Sequence, residues 1–233
     1  MKTIKKITML IVISALAGCT TSKTLKFTKA DDNIIKTETL KVFLDKNKNP
    51  KVVLRVNSTS FAVTEKENND YLFNAIENQL LSNGFVVRDR QLFNQIIENN
   101  ENSVDYSKLN EKSDTDLIIE LTKLDSKILY ETNQYYDLKD NLKIDKYFKH
   151  KRYGASVEFK VVIIKSNEFA GAYKFNYTPC VTGCVVSKSL KELQKERKEK
   201  EKEKKEGYEG VERNELEIFI KDATDKLVEA MRR

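Results

Sequence analysis

The sequence predicts an α+β domain, a mixed β-sheet covered by helices, with a charged C-terminal helical extension. Three observations predict it. Apolar residues recur at helical spacing in two places, Leu72-Phe73-Ile76-Leu80 and Leu216-Phe219-Ile220-Ala223-Leu227-Met231. Between them lie β-branched runs, "KVVLRV", "LIIELTKL" and "ASVEFKVVII". The order is strand, helix, strand, helix, several strands, then helices, which packs as helices laid over a sheet. At 233 residues the chain is long enough for one domain with a substantial core and an extension.

The boundaries are read as a signal peptide over 1–18, a tether over 19–50, the domain over 51–187 and C-terminal helices over 188–233. Residues 20–50 are polar and offer only weak strands, so they read as a leader. "KNKNP", Lys46 to Pro50, is a turn before the strand Lys51 to Val56. Asn68, Asn69 or Asp70 can cap the first helix, and Gly84 suits a left-handed residue at its end. "FVVRD" is then a short strand, and Asp89 caps a second helix carrying Leu92, Phe93, Ile96 and Ile97. After a polar loop comes the strand Leu117 to Leu124. Ala155 to Ile164 and Ala170 to Thr178 form a hairpin across "KSNE", with Tyr173, Phe175 and Tyr177 on one face. A helix over 188–206 is almost wholly charged, with Glu196–Lys200 and Glu201–Lys205 pairs, and reads as a solvated spacer. The amphipathic helix over 212–232 closes the chain.

The N-terminus has a basic start (Lys2, Lys5, Lys6), ten uncharged apolar residues from Ile7 to Leu16, and then Ala17-Gly18-Cys19. A bilayer-spanning helix needs ~20 apolar residues, so this segment fits a signal-peptide core instead. Leu16-Ala17-Gly18-Cys19 resembles the lipobox of bacterial lipoproteins. The resemblance implies diacylglycerol on the Cys19 thiol, cleavage before Cys19 and acylation, as by palmitate, of the new amine. Several acyl chains, at ~0.8 kcal/mol per buried CH₂, make a lasting anchor. Thr20 rather than aspartate after the cysteine implies passage to the outer membrane, facing the periplasm.

The net charge of +6 includes Lys2, Lys5 and Lys6, so the part after residue 18 carries +3. That is no nucleic-acid footprint. Of the three cysteines, Cys19 is assigned to lipid. Cys180 and Cys184 then make an even pair in an oxidising compartment and are expected to form a disulfide. A metal site there lacks histidine partners.

The block "VVLRV…NGFVVRDRQLFNQIIEN…SDTDLIIELTKLD" resembles the domain shared by curli-secretion-channel lipoproteins and the outer-membrane lipoproteins that activate peptidoglycan synthases. The matching residues are Gly84, Phe85, Val86, Val87, Asp89 and Arg90, then Asp116 to Glu120. In order of elements the resemblance covers roughly Lys51 to Thr178. It implies a regulator or structural component of an envelope assembly. The residues themselves read as structural: Phe85 and Val87 enter the core, and Arg90, in a helix's first turn, needs a carboxylate partner. The channel family has a membrane β-hairpin where this chain has "ILYETNQYYDLKDNLKIDKYFKHKRYG", and charges this dense argue against a barrel strand.

Within that stretch, Lys146, Tyr147, Phe148, Lys149, Lys151 and Arg152 interleave cations with aromatics, and Tyr153 follows. They are the candidate partner- or polymer-binding residues. The pattern suits an anionic envelope polymer such as lipopolysaccharide or glycan. It suits equally a solvated strand edge guarded by lysines. His150 is the only histidine and lies among these cations, which leaves no room for a metal. The seven glycines form no phosphate loop, and no spacing singles out a carboxylate pair. The expectation is a lipid-anchored, non-enzymatic protein acting by protein–protein contact, with no cofactor, metal or nucleic acid. The partner's identity and any oligomer are left open.

Overall fold

The computed structural model describes residues 23–56, 69–98, 114–186 and 210–233. Its strands are β1 (Lys23–Leu25), β2 (Asn33–Lys36), β3 (Lys51–Val56), β4 (Val86–Val87), β5 (Leu117–Thr132), β6 (Gln134–Tyr136), β7 (Leu142–Ile144), β8 (His150–Ile163), β9 (Glu168–Tyr177) and β10 (Cys184–Val186). Its helices are α1 (Glu38–Lys46), α2 (Asp70–Ser82), α3 (Arg90–Glu98) and α4 (Arg213–Arg232). The α+β class read from the sequence is the observed one.

The described residues fall into two compact units. The larger comprises Lys29–Tyr130, Arg152–Pro179 and Glu209–Arg233. It holds a six-stranded sheet in the order β2-β9-β8-β5-β3-β4. β3 pairs parallel with both β4 and β5, while β9 pairs antiparallel with β8 and β2. One face is covered by α1, α2 and α4: Leu40, Phe73, Ile76, Phe219, Ile220 and Leu227 meet the inward residues of β3, β5, β8 and β9. Each such side chain, fully buried, contributes roughly 1.5–3 kcal/mol. On the other face Phe93 of α3 joins Val53, Ile118, Val162 and Ile164 in a second, smaller cluster.

The local reasons are legible. Gly84 has φ +84° after α2, and the Phe85 N–H returns to the Leu80 carbonyl at 3.1 Å, closing the helix end. Asp89 caps α3 through its Oδ1, which accepts the Leu92 N–H at 2.8 Å. Asn69 precedes α2 but makes no side-chain cap bond. Gly171 admits the ring of Tyr173 over its Cα. A Cβ there would lie 2.8 Å from the Ile35 carbonyl oxygen and 2.8 Å from the Tyr173 hydroxyl.

The sequence expectations need three corrections. The tether does not extend to residue 50: β1 begins at Lys23, and α1, capped by Thr37, buries Leu40 and Leu44 in the main core. Leu92 is 61% exposed while Phe93 is buried, because Phe93 is the described α3 side chain that packs on Val53, Ile118, Val162 and Ile164. α4 is no appendage, since its apolar stripe from Leu216 to Met231 lies in the main core. The signal segment, Cys19 and the charged helix of 188–206 lie outside the described residues.

The smaller unit falls within Met1–Thr28, Glu131–Lys151 and Cys180–Tyr208. Its four-stranded sheet runs β10-β1-β6-β7. These strands are three residues each, and polar ties do much of the bonding. Lys23 reaches Asp145 at 2.8 Å and stacks its ammonium on Tyr135, and Lys26 pairs with Asp140 at 3.0 Å and stacks on Tyr136.

Candidate functional site

Two surfaces carry the chemistry, one in each unit. In the smaller unit the cationic-aromatic segment turns at Asp145 and re-enters as β8. Lys146 and Lys149 are exposed, Tyr147 is 95% exposed, and Phe148 is half-buried with its ring edge-on to His150 at 4.9 Å. Asp145 organises this turn. Its Oδ2 accepts from the Lys23 ammonium, and its Oδ1 accepts the Tyr147 N–H at 3.2 Å. Chiefly through the Lys23 hydrogen bond, its carboxyl is held below the usual aspartate range.

The cations are not all available to a ligand. Lys149 and Lys151 share Glu131, at 2.7 and 3.4 Å. The Lys149 hydrogen bond is the main cause that lowers the Glu131 pKa, and Glu131 raises that of Lys149 in return. Arg152 and Tyr153 belong to the larger unit, so the segment expected as one patch is divided. Ile144 and Leu142 of β7, 62% and 52% exposed, add apolar surface beside the turn.

His150, read in the sequence as lying among cations, has an acidic neighbour in the structure. It is 4% exposed, and its Nε2 lies 3.9 Å from Asp145 Oδ2. Strand alternation explains this, since β8 turns His150 inward and Lys151 outward. Among the described residues no three His, Cys, Asp or Glu side chains are grouped to hold a metal ion. Cys180 and Cys184 are joined as a disulfide, with Cα atoms 5.0 Å apart. Cys180 (φ +55°) and Gly183 (φ +102°) make the turn between them. Arg90 finds the carboxylate that its position required: its Nε lies 3.7 Å from Glu77, over the Phe73 ring. Burial raises the Glu77 pKa and Arg90 opposes that shift. Both residues serve the scaffold.

The second surface was missed in the sequence. β2 is the outer strand of the large sheet, and all four of its residues are exposed, Ile34 by 46% and Ile35 by 57%. The Thr37 N–H donates to the Ala170 carbonyl at 3.0 Å in register with the β2–β9 ladder. Antiparallel alternation therefore turns the N–H and C=O groups of Ile34 and Lys36 away from β9, toward an edge that is open among the described residues. Beside that edge, β2 and α4 enclose a groove of about 240 Å³, floored by Ile34, Phe175 and Ala230 and rimmed by Lys36, Lys226 and Arg233 among others. Lys36, the lysine that would guard this edge, is tied back to the Ala230 carbonyl at 3.0 Å. Its only sequence signal was the apolar pair in "DDNIIKT".

No family model matches the chain, and no curated protein matches it. Among solved structures, it is similar to a neuraminyllactose-binding hemagglutinin homolog from Helicobacter pylori at 10% identity and TM-score 0.32, covering 80% of this chain and 84% of that one. It is also similar to a PDZ domain protein from Parabacteroides distasonis at 12% identity and TM-score 0.29, covering 86% of this chain and 41% of that one. Scores this low establish no shared fold.

Proposed function

We propose that this protein is a lipid-anchored, non-enzymatic component of the bacterial envelope that acts by protein–protein contact, as a regulator or structural part of an assembly. Cys19 carries the lipid, and the outer membrane, on its periplasmic side, is the address. The observation that carries the contact reading is the open β2 edge beside the β2–α4 groove. An extended segment of a partner would bond to the outward backbone groups of Ile34 and Lys36. It would place every second side chain toward the groove, as strand addition requires.

A benzophenone amino acid at Ile35, in native envelopes, tests this. The expected result is a protein adduct of one defined mass, lost in Ile34→Pro. That proline removes an outward N–H and keeps every N–H that donates to β9. Absence of any protein adduct sinks the proposal.

The rival reading, an anionic polymer bound through 146–153, draws on the exposure of Lys146 and Tyr147. It is weakened by the sharing of Glu131 between Lys149 and Lys151. Changing Lys146, Lys149, Lys151 and Arg152 together to glutamine separates the two. Salt-dependent binding to lipopolysaccharide that vanishes in this variant would favour the rival.

A further inference from the structure

We infer that the turn Asp145–Lys149 rests in the headgroup layer of the leaflet that holds the lipid on Cys19. The inference rests on the anchor reading above and adds an orientation to it. β1 begins at Lys23, so only Thr20, Thr21 and Ser22 separate the lipidated residue from a hydrogen-bonded strand. Four residue steps span at most roughly 14 Å even when fully extended. The headgroup layer is itself about 5–8 Å thick on each side. Lys23 is therefore confined to within about 10 Å of that layer.

One carboxylate then links the confined residue to the turn. Asp145 accepts from the Lys23 ammonium at 2.8 Å and from the Tyr147 N–H at 3.2 Å. The turn held there has the chemistry of an interface. Tyr147, an aromatic ring with a polar tip, is 95% exposed between Lys146 and Lys149, and Ile144 is 62% exposed on the adjoining strand. An amphipathic ring flanked by lysines suits the boundary between acyl chains and anionic headgroups. In free solution none of the described residues covers the same ring. A second, weak membrane contact beside a lipid anchor fixes which way the protein faces, which a tether alone does not do.

The chain has no tryptophan, so Tyr147→Trp introduces a single indole reporter at an exposed site. The full chain, processed in its host, is reconstituted into phosphatidylcholine vesicles with and without phosphatidylglycerol, some carrying brominated acyl chains. Phe169→Trp, at a 47% exposed site in the larger unit, is the control. The expected result is a blue-shifted emission at position 147, quenched about twofold by brominated lipid, while the control stays quenchable by acrylamide. The shift should be larger with phosphatidylglycerol and shrink in Lys146→Glu with Lys149→Glu. A chain that carries lipid and floats with the vesicles, but whose indole at 147 stays in water, overturns the inference and leaves the anchor standing. A mature chain whose mass shows no lipid overturns both.

Discussion

Tyr173→Phe should stabilise the protein. The Tyr173 ring is 2% exposed in the main core, lies over Gly171, and its hydroxyl has no hydrogen-bond partner among the described residues. Protein mutational data put the cost of an unmatched buried hydroxyl at ~1–3 kcal/mol. Phenylalanine keeps the ring and its contacts, so the expected gain at pH 7 is about 1 kcal/mol, or a Tm about 2–4 °C higher for a chain of this size. The same residue makes an alkaline signature. Burial pushes its phenol up to about 12, against an ordinary value of 10.0. The raised group is an acid that stays neutral in the fold, so at pH 7 it is protonated in both states and contributes no pH dependence. Above pH 10 the unfolded chain releases the proton while the folded one holds it. Stability is then lost as pH rises from 10 toward 12, by up to ~2–3 kcal/mol for this group. Urea unfolding of both forms at pH 7 and through the alkaline range isolates the contribution, because the other tyrosines are common to both. A variant less stable by ~1 kcal/mol at pH 7 would show that the hydroxyl is satisfied, and an unchanged alkaline slope would refute the burial argument.

Three further outcomes are expected. Asp89→Ala removes the acceptor of the Leu92 N–H and should cost about 1 kcal/mol in urea unfolding, with Asp89→Asn recovering most of it. Cys19→Ala should leave an unprocessed precursor, and mass spectrometry of the wild type should show a chain beginning at an acylated Cys19; a mature N-terminus elsewhere contradicts the lipobox. Alkylation of fresh envelope protein without reductant should label neither Cys180 nor Cys184, and labelling of both would mean a reduced pair.

Periodic segments could be read ahead of the structure because one physical cause, burial on one face, fixes both the pattern and the contact. α4 shows this: the six residues singled out by spacing are all buried. Gly84 and Asp89 were legible for another reason, since each is a local backbone requirement with few chemical solutions. Edges and short strands were not legible. Ile34-Ile35 has no period in the sequence, because on an edge strand one residue faces the helices and the next faces the other side of the sheet. β6 and β7 become strands only by pairing with each other and with β1. His150 was placed by its charged neighbours along the chain, whereas alternation on β8 turned it toward Asp145. In each case the missing information was which strand or side chain the residue meets in space, which spacing along the chain does not state.

The pairing of charges in the smaller unit decides how its lysines can be used. Asp145, Asp140, Glu131 and Asp137 each lie within ion-pair distance of a lysine, namely Lys23, Lys26, Lys149 with Lys151, and Lys143. The pairs of Asp140, Glu131 and Asp137 lie largely in solvent and add little to stability, the Lys23–Asp145 pair is more buried, and a disulfide closing so short a loop adds well under ~3 kcal/mol. These ties order short strands, and in doing so they spend cations that a polymer ligand would need. Lys146 lies outside these pairings and sits next to Tyr147, which is 95% exposed. One lysine and one ring make a weak site for a polyanion, whose binding grows with the number of charges neutralised. On the proposed lipid anchor they suffice, because a surface tethered in that way has already met the entropic cost of association. The β2 edge, in the larger unit, needs no charge for the proposed contact: its outward N–H and C=O groups are complementary to any extended backbone, and the groove beside it would select among side chains. The two contacts therefore rest on different residues and different forces, and a change in salt should weaken the first far more than the second.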